Sequence, residues 1–322
     1  MKLSSCNSIE IVPTSPFDFD STFHKPSHFP SGDNLWEPGI RWQTYFWQDK
    51  QICLKCMNKG TVEKPLVHIE VYCSSNLTDA FINSLQEEMI YRYNLSIDLC
   101  EFYNLFKHDK DLEGPIKRFK GMRPGHAGSL YEYLIIGIVL QNTFVKRSVQ
   151  MLQALFESYG TLLEFDGKQL WAFWKPGSLC DVSEEDLRKL KLGYRAKSIK
   201  KVDEMYHKNL VNEQALRDMD FETQKKELLQ IYGVGPATVW YLLFDVFHRY
   251  DFFSHISPWE QKIYSKLFFN KDPENPVPVD VLLKYFEKFG KYKQLAVHYV
   301  WEDLWWKRKN ESIPWLEKLI RL

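Results

Sequence analysis

The chain has 322 residues, with 42 basic and 42 acidic side chains and therefore no formal net charge. This length allows two or three domains with a substantial core, and 16% aromatic residues is high for a globular protein. The longest apolar run, residues 134–140, is too short to span a membrane, and residues 1–6 lack the apolar core of a signal peptide. We therefore expect an intracellular protein, in the cytoplasm, nucleoid or nucleus, with no membrane partner. Zero net charge argues mildly against nucleic-acid binding, although the distribution of charge matters more than the sum.

Residues 1–112 carry the pattern of an antiparallel sheet. Three short segments alternate or are rich in β-forming residues, and turn-forming clusters separate them: 42–47, 52–57 and 66–72. Helices are predicted near residues 78–92 and 99–106. Cys53 and Cys56 have the spacing of half a zinc site, but no second pair matches them, so no metal is predicted.

From about residue 113 onward the apolar spacing is helical. The clearest helices are predicted over 130–140 and 145–159, and Ser183 with Asp186 forms a capping-box-like start for another. Further helices are predicted over 196–208, 222–231, 236–249, 258–268, 278–288 and 291–309. The fold class is therefore α+β, an N-terminal antiparallel sheet domain followed by a mainly α-helical domain.

Gly233-Val234-Gly235 lies between two of these helices, where a tight hairpin is predicted. Glycine tolerates the positive φ of such a turn, and Pro236 suits the first turn of the next helix. Free backbone N–H groups at a helix start favour a phosphate, so the hairpin predicts nucleic-acid binding. Residues 187–201 hold seven basic and no acidic side chains, which supports that interpretation or simply marks a solvated helix face. An ordinary corner between two helices is the alternative for the hairpin.

Several segments, taken in order, resemble one family. These segments are Leu-Gly-Tyr-Arg-Ala-Lys at 192–197, Gly-Met-Arg-Pro at 121–124, residues 140–147, the hairpin, residues 289–296, and residues 16–20 with 41–42. Together they are similar to the helix-hairpin-helix (HhH-GPD) DNA glycosylase superfamily, above all to its 8-oxoguanine and alkyladenine branches. The resemblance implies a two-part helical domain over 113–322. Its central part, about 125–250, contains the hairpin at 232–236, and 251–322 packs back with 113–124.

The resemblance also implies a role in DNA base-excision repair. Such proteins extrude a nucleotide from double-stranded DNA and cut the bond between base and sugar. A monomer without a cofactor or metal is expected. Gly233, Val234 and Gly235 would bind a DNA phosphate, and the remaining predicted DNA contacts are Gln141, Asn142, Arg147, Tyr194, Arg195 and Lys197. Gln141 and Asn142 would fill the hole left by the flipped base, or else they are plain polar loop residues.

The implied base pocket lies between aromatic side chains. Trp301 matches a position that stacks on the flipped base in the family, and Tyr241 falls on the opposite wall. The glutamine that reads the base edge in 8-oxoguanine enzymes is Val297 here. An aromatic pocket with few polar groups suits an electron-poor alkylated base better than an oxidised one. A core or surface role is the alternative for Trp301.

Catalysis is where the sequence departs from the family. A carboxylate is needed to stabilise the positive charge that develops on the sugar. The family aspartate falls 23 or 24 residues after Gly233, which is Ile256 or Ser257 in this chain. Glu260 is the tentative substitute, although it is also placed to cap its own helix. The Schiff-base lysine of the strand-cleaving enzymes falls at Ala237, so no lyase chemistry is predicted.

Three hypotheses remain open. The first is a divergent monofunctional DNA N-glycosylase for an oxidised or alkylated purine, and the second is a glycosylase-fold protein that binds damaged DNA without cutting it. The third is a helical protein whose hairpin contacts another protein.

Overall fold

The computed structural model describes residues 1–320, and its first unit is a five-stranded antiparallel sheet in the order β1-β5-β4-β3-β2. The strands are β1 (Ser4–Ile11), β2 (Asn34–Glu37), β3 (Ile40–Trp47), β4 (Lys50–Asn58) and β5 (Val67–Cys73). The three predicted strands are β3, β4 and β5, and β1 and β2 extend the sheet at its two edges. Helices α1 (Phe19–Phe23) and α2 (Asp79–Arg92) cover one face through an apolar core.

The other face of the sheet is covered by a β-hairpin from the helical part of the chain. Strands β6 (Thr161–Phe165) and β7 (Lys168–Ala172) pair across Asp166 and Gly167, which both have positive φ. The sequence pattern after residue 113 predicts only helices and leaves residues 161–172 without an element, so this hairpin is an addition to the predicted fold. An Asp-Gly turn between alternating apolar residues is a strong hairpin signal, and that signal was overlooked. The Trp42 Nε1 group donates to the Asp166 carboxylate at 2.7 Å, which ties the hairpin to the sheet.

The central helices share one core. They are α5 (Leu130–Leu140), α6 (Val145–Tyr159), α7 (Glu184–Lys189), α8 (Arg195–His207), α9 (Glu213–Arg217), α10 (Phe221–Gln230) and α11 (Pro236–Tyr241). The predicted bounds of α5 and α6 are confirmed. Helix α5 starts with a capping box in which Ser129 and Glu132 each accept from the other's backbone.

The helix predicted over 236–249 changes its winding partway. The α-helix ends at Tyr241 and continues as a π-helical segment, Leu242–Val246. Such segments are rare in proteins and are often found at functional sites. Here the segment carries Asp245 between the buried residues Phe244 and Val246.

A third group of helices packs against both other parts. It contains α3 (Cys100–Phe106), α4 (Glu113–Arg118), α12 (Pro258–Phe269), α13 (Val279–Phe286), α14 (Lys293–Asn310) and α15 (Pro314–Glu317), with a 3-10 segment at Glu287–Tyr292. Residues 99–122 and 253–316 share its apolar core. The α+β fold class is therefore confirmed. Among the described residues, no helix is long and apolar enough to cross a membrane.

Candidate nucleic-acid interface

Three loops that are far apart in sequence meet at one surface. The hairpin before α11 contacts the loop after α5, because Gln141 Nε2 donates to the Gly233 carbonyl at 3.3 Å. The turn before α8 joins the same loop, where Asn142 Nδ2 donates to the Tyr194 hydroxyl at 3.2 Å. Asn142 is exposed and has a φ of 49°, a left-handed conformation that asparagine tolerates better than most residues. The structure thus brings the predicted wedge and the predicted phosphate anchor to one surface.

The hairpin itself is anchored by apolar side chains and turned by glycine. Ile231 and Val234 are buried, and Gly233 has a φ of +83°. The amides of Gly233 and Gly235 donate to no group in the described part of the chain, so they are free to bind an anion. Val234 was predicted to bind a phosphate like its two glycine neighbours, but its amide donates to the Ile231 carbonyl at 3.0 Å. Its contribution to the hairpin is the buried side chain.

Two arginines at this surface hold loops in place. The guanidinium of the buried Arg195 donates to the Gln141 carbonyl and lies 4.8 Å from the centroid of the Tyr194 ring. Arg147 Nη2 donates to the Lys191 carbonyl at 2.8 Å. Both side chains were predicted to contact DNA directly, and the structure gives each a partner within the protein. Their hydrogen bonds position the loops that carry Asn142.

The basic residues at 187–201 include both side chains that are free and side chains that are bound to other groups of the protein. Lys197 is exposed, 6.0 Å from the centroid of the Tyr232 ring of the hairpin, and forms no ion pair in the described structure. Lys200 Nζ donates to the carbonyls of Cys180 and Val182, at 2.9 and 2.8 Å. Lys197 is therefore available to a phosphate, whereas Lys200 closes a turn.

Exposed apolar side chains surround these loops, and sequence reasoning did not single out most of them. They are Leu140, Phe144, Tyr194, Tyr232 and Tyr241, each at least 37% exposed. Large apolar groups that remain in solvent next to basic ones are typical of surfaces that stack on nucleic-acid bases. The sequence signal was available, because aromatic residues interrupt the polar composition of these turns.

Side chains from α11, α12 and α14 meet behind the loops, around the half-exposed Tyr241 ring, and we call this region the cleft. The Tyr241 hydroxyl donates to Glu260 Oε1 at 3.0 Å, while the Tyr241 ring is 47% exposed. Trp301 lies edge-to-face against Trp259, with ring centroids 5.4 Å apart. Val297 is buried one helical turn before Trp301 and offers no polar group. The structure therefore brings Tyr241, Glu260 and Trp301 to one region.

The start of α12 is the place where the family aspartate is expected. Ser257 is the N-cap, and its hydroxyl accepts from the Glu260 amide at 3.2 Å. Glu260 Oε2 accepts from the Ser257 amide at 2.9 Å, so both carboxylate oxygens of Glu260 have partners. Ile256 is 5% exposed and belongs to the apolar core of the C-terminal helices. The predicted capping role of Glu260 is present, together with its contact to the cleft wall.

A polar cluster that the sequence did not reveal lies deeper, between the N-terminal segment, α5, the π-helical segment and α14. We call it the Asp245 recess, and it comprises Lys25, Tyr133, Asp245, His298 and Glu302. The Tyr133 hydroxyl donates to the Asp245 carboxylate. Burial raises the pKa of Asp245 to about 6, against the opposing effect of the Tyr133 hydrogen bond and the Lys25 charge. The sequence contains a signal for this buried cluster, because charged residues interrupt otherwise apolar helix segments.

This arrangement of sheet, helices and hairpin matches a DNA glycosylase fold. The chain superposes on the 3-methyladenine DNA-glycosylase from Archaeoglobus fulgidus with a TM-score of 0.72 and 16% identity, over 95% of this chain and 99% of that one. It superposes on the Clostridium acetobutylicum 8-oxoguanine glycosylase/lyase, solved with double-stranded DNA containing cytosine opposite 8-oxoguanine, with a TM-score of 0.68 and 20% identity. That match covers 96% of this chain and 98% of the other.

Sequence comparison leads to the same group of proteins. The DNA-3-methyladenine glycosylase of Bacillus subtilis (strain 168) is 24% identical over 219 residues, which is 62% of this chain and 72% of that protein. No family model matches the chain. The resemblance to helix-hairpin-helix DNA glycosylases is nevertheless confirmed, because relatives by sequence and neighbours by fold are both glycosylases of the 3-methyladenine and 8-oxoguanine types.

Proposed function

We propose that this chain is a base-excision-repair DNA glycosylase that acts inside the cell as a monomer on double-stranded DNA. It extrudes an oxidised or alkylated purine into the cleft and cuts the N-glycosidic bond. The observation that carries the proposal is the convergence of three loops near the half-exposed Tyr241 ring, whose hydroxyl contacts the Glu260 carboxylate. The glycosylase names of the relatives support it.

DNA binding would use complementary features of the surface. The free amides of Gly233 and Gly235, at the start of α11, favour a phosphate because the helix N-terminus carries partial positive charge. Asn142 projects from a left-handed turn, where its amide can pair with the base left unpaired by extrusion. Lys197 adds a positive charge beside the hairpin. Phosphate contacts of this kind position the duplex without selecting its sequence.

Glu260 is the carboxylate assigned to catalysis. Water attacks the anomeric carbon of the sugar, the carbon–nitrogen bond breaks, and the base leaves with the bonding electrons while a proton passes from water to the carboxylate. Glu260 would stabilise the positive charge of the sugar, and its contact with Tyr241 holds it at the cleft wall. Position 237 is alanine, which has no amine for a Schiff base. The proposed activity is therefore monofunctional.

Release of free base from defined duplexes tests the proposal. Glu260→Gln keeps one side-chain oxygen that can accept from the Ser257 amide, because glutamine also caps at this position, and it removes the charge together with one acceptor. We expect base release by the wild-type protein, and a loss of at least about 100-fold in Glu260→Gln, the usual size of one electrostatic contribution. Equal rates would exclude Glu260 as the catalytic carboxylate. If the wild-type protein releases no base from any alkylated or oxidised purine tested, glycosylase activity is excluded.

A second candidate function is recognition of damaged DNA without cleavage. The engagement of both Glu260 oxygens and the apolar packing of Ile256 favour it. This protein would bind lesion-bearing duplexes more tightly than intact ones, with steep salt dependence and no turnover. Equal affinity for intact and damaged duplexes would exclude damage recognition.

A further inference from the structure

A cavity lies between the N-terminal sheet domain and the central helices. The end of β3 and α2 form one side of it, and the start of α5, the segment after β7, α8 and α9 form the other. It has two lobes, of about 200 and 360 Å³, which share Trp47, Arg92 and Glu213. Ser129 lines the cavity at the start of α5, whereas Gln141 follows the end of that helix, which is 11 residues or ~16 Å long. The cavity is therefore separate from the loops that are proposed to bind DNA.

Aromatic side chains from both domains line the smaller lobe. They are Trp47, Tyr131, Trp174 and Tyr206. The Tyr131 hydroxyl donates to Asp203 and accepts from Trp174 Nε1, both at 2.6 Å, and the Tyr131 and Tyr206 rings lie edge-to-face with centroids 4.9 Å apart. An apolar cavity of about 150 Å³ is enough to hold benzene. This lobe therefore has room for a guest with one aromatic ring.

One hydroxyl group of this lobe lacks a partner. The Tyr206 hydroxyl oxygen is buried and forms no hydrogen bond within the part of the chain that the structure describes. Burial first, and then the charges of Glu213 and Glu132, raise the pKa of this hydroxyl well above its ordinary value. Both carboxylates are thus near the hydroxyl without bonding to it. Because buried polar atoms are nearly always satisfied in folded proteins, this space points to a polar guest.

The ion pairs around the cavity indicate which charge that guest carries. The Arg217 guanidinium donates to Glu88 and to Glu213, in each case at 2.6 Å, and Arg92 Nε donates to Glu88 at 2.6 Å. Glu132 is left with a long contact, 3.9 Å from Arg92 Nη1, and burial raises its pKa to about 7. When all are ionised, three carboxylates and two guanidiniums leave one excess negative charge. A cationic guest would balance that charge.

We propose that this cavity is a binding site for a small organic molecule that carries a protonated primary amine. The ammonium group donates to the Tyr206 hydroxyl oxygen and to the Glu132 carboxylate, and it balances the excess negative charge. The hydrocarbon part lies among the aromatic rings, whose π faces attract a cation. Because the guest contacts both domains of the folded chain, it stabilises the fold by mass action. The site goes beyond the proposed function and requires neither DNA nor base release.

Calorimetric titration of the full-length protein tests the site with three probes of similar shape and different charge. The probes are benzylamine, benzyl alcohol and benzoate, which are cationic, neutral and anionic. The titrations are done at about pH 8, where the Glu132 carboxyl is ionised. We expect the Kd of benzylamine to be at least about tenfold lower than that of either other probe, equivalent to ~1.4 kcal/mol. Benzylamine should also raise the melting temperature.

Replacement of Glu132 by glutamine tests the carboxylate. Glu132→Gln keeps an oxygen that can accept from the Ser129 amide, so the cap of α5 is retained and the charge is removed. We expect it to weaken benzylamine binding at least about tenfold. Glu185→Gln is the matched control, because it removes one negative charge from the first turn of α7 at an exposed position. Its affinity for benzylamine should equal that of the wild-type protein.

Replacement of Tyr206 by phenylalanine tests the hydroxyl group. Tyr206→Phe keeps the ring that packs on Tyr131 and removes an oxygen that has no partner, so the melting temperature without ligand should not fall. Benzylamine binding should weaken several-fold, a loss that a purely structural role would not produce.

The outcomes that contradict the site are distinct. No binding of any probe means that the cavity holds only solvent, and equal binding of all three means that it does not select a cation. Unchanged benzylamine affinity in Glu132→Gln or in Tyr206→Phe means that the amine binds elsewhere. Each of these results overturns the inference and leaves the proposed function unaffected.

Discussion

Replacement of Ser257 by aspartate tests whether a single carboxylate separates this chain from an efficient glycosylase. Ser257 is the half-buried N-cap of α12, and its hydroxyl accepts from the Glu260 amide at 3.2 Å. Aspartate caps helices about as well as serine does. Its charge gains about 0.3–1 kcal/mol from the helix dipole, which repulsion from Glu260 offsets. We expect the free energy of unfolding to change by less than about 0.5 kcal/mol.

The catalytic gain follows from the chemistry of the transition state. A fixed charge partner at a developing ion contributes about 2.7–4 kcal/mol, or a factor of about 10²–10³. At the N-cap, the orientation of the aspartate side chain is set by capping hydrogen bonds and not by the sugar. We therefore expect only part of this gain in rate. Ser257→Asp should raise the rate of base release at least about tenfold, or ~1.4 kcal/mol in the activation free energy. Single-turnover release of 7-methylguanine from a duplex, with enzyme in excess, measures the chemical step.

Ile256→Asp is the control for the other possible alignment. Ile256 is 5% exposed within an apolar core, so truncating its side chain costs about 2–4 kcal/mol, and the buried carboxylate adds to this cost. We expect a large loss of stability in urea unfolding and no gain in activity. The reasoning would be refuted if Ser257→Asp folds, binds DNA like the wild-type protein and releases base no faster. It would also be refuted if Ile256→Asp is the stable and active variant.

Three further outcomes are expected. Gly233→Ala places a side chain at a φ of +83°, so it should cost about 1–2 kcal/mol in unfolding free energy and weaken DNA binding in gel shifts; unchanged binding would argue against the hairpin as anchor. Lys197→Ala should reduce the salt dependence of DNA binding by about one phosphate contact, whereas Lys200→Ala should lower the melting temperature and leave the salt slope unchanged. Acid should destabilise the fold below about pH 6, because burial lowers the pKa of four histidines to between about 2 and 4, and the unfolded chain then binds more protons. The four are His24, His28, His126 and His248. Burial lowers the pKa of His298 as well, which makes five histidines. Four carboxyl groups act in the opposite sense, because burial raises their pKa: Glu132 to about 7, Asp245 to about 6, and also Asp203 and Glu302. Thermal melts between pH 7.5 and 5 measure the balance, and a melting temperature that rises toward pH 5 would contradict it.

Much of the fold was predictable because its signals are local. The bounds of α5 and α6 follow from apolar spacing, and Ser257 with Glu260 forms the capping box that the sequence spells out. The β6–β7 hairpin was equally local, and it was missed because the surrounding pattern is helical. The π-helical segment at Leu242–Val246 has no comparable sequence signature. Its winding depends on the packing of the helices around it.

The sequence by itself determined the succession of a sheet domain and a helical domain, the glycine hairpin and the absence of an aspartate at residues 256 and 257. Short-range sterics and capping hydrogen bonds decide these features, so neighbouring residues are enough to predict them. Only the tertiary structure decided which charges are free. Arg195 and Lys200 are engaged by carbonyls elsewhere in the chain, whereas Lys197 is not. Whether a polar group is available to DNA depends on partners distant in sequence, and folding alone brings those partners together.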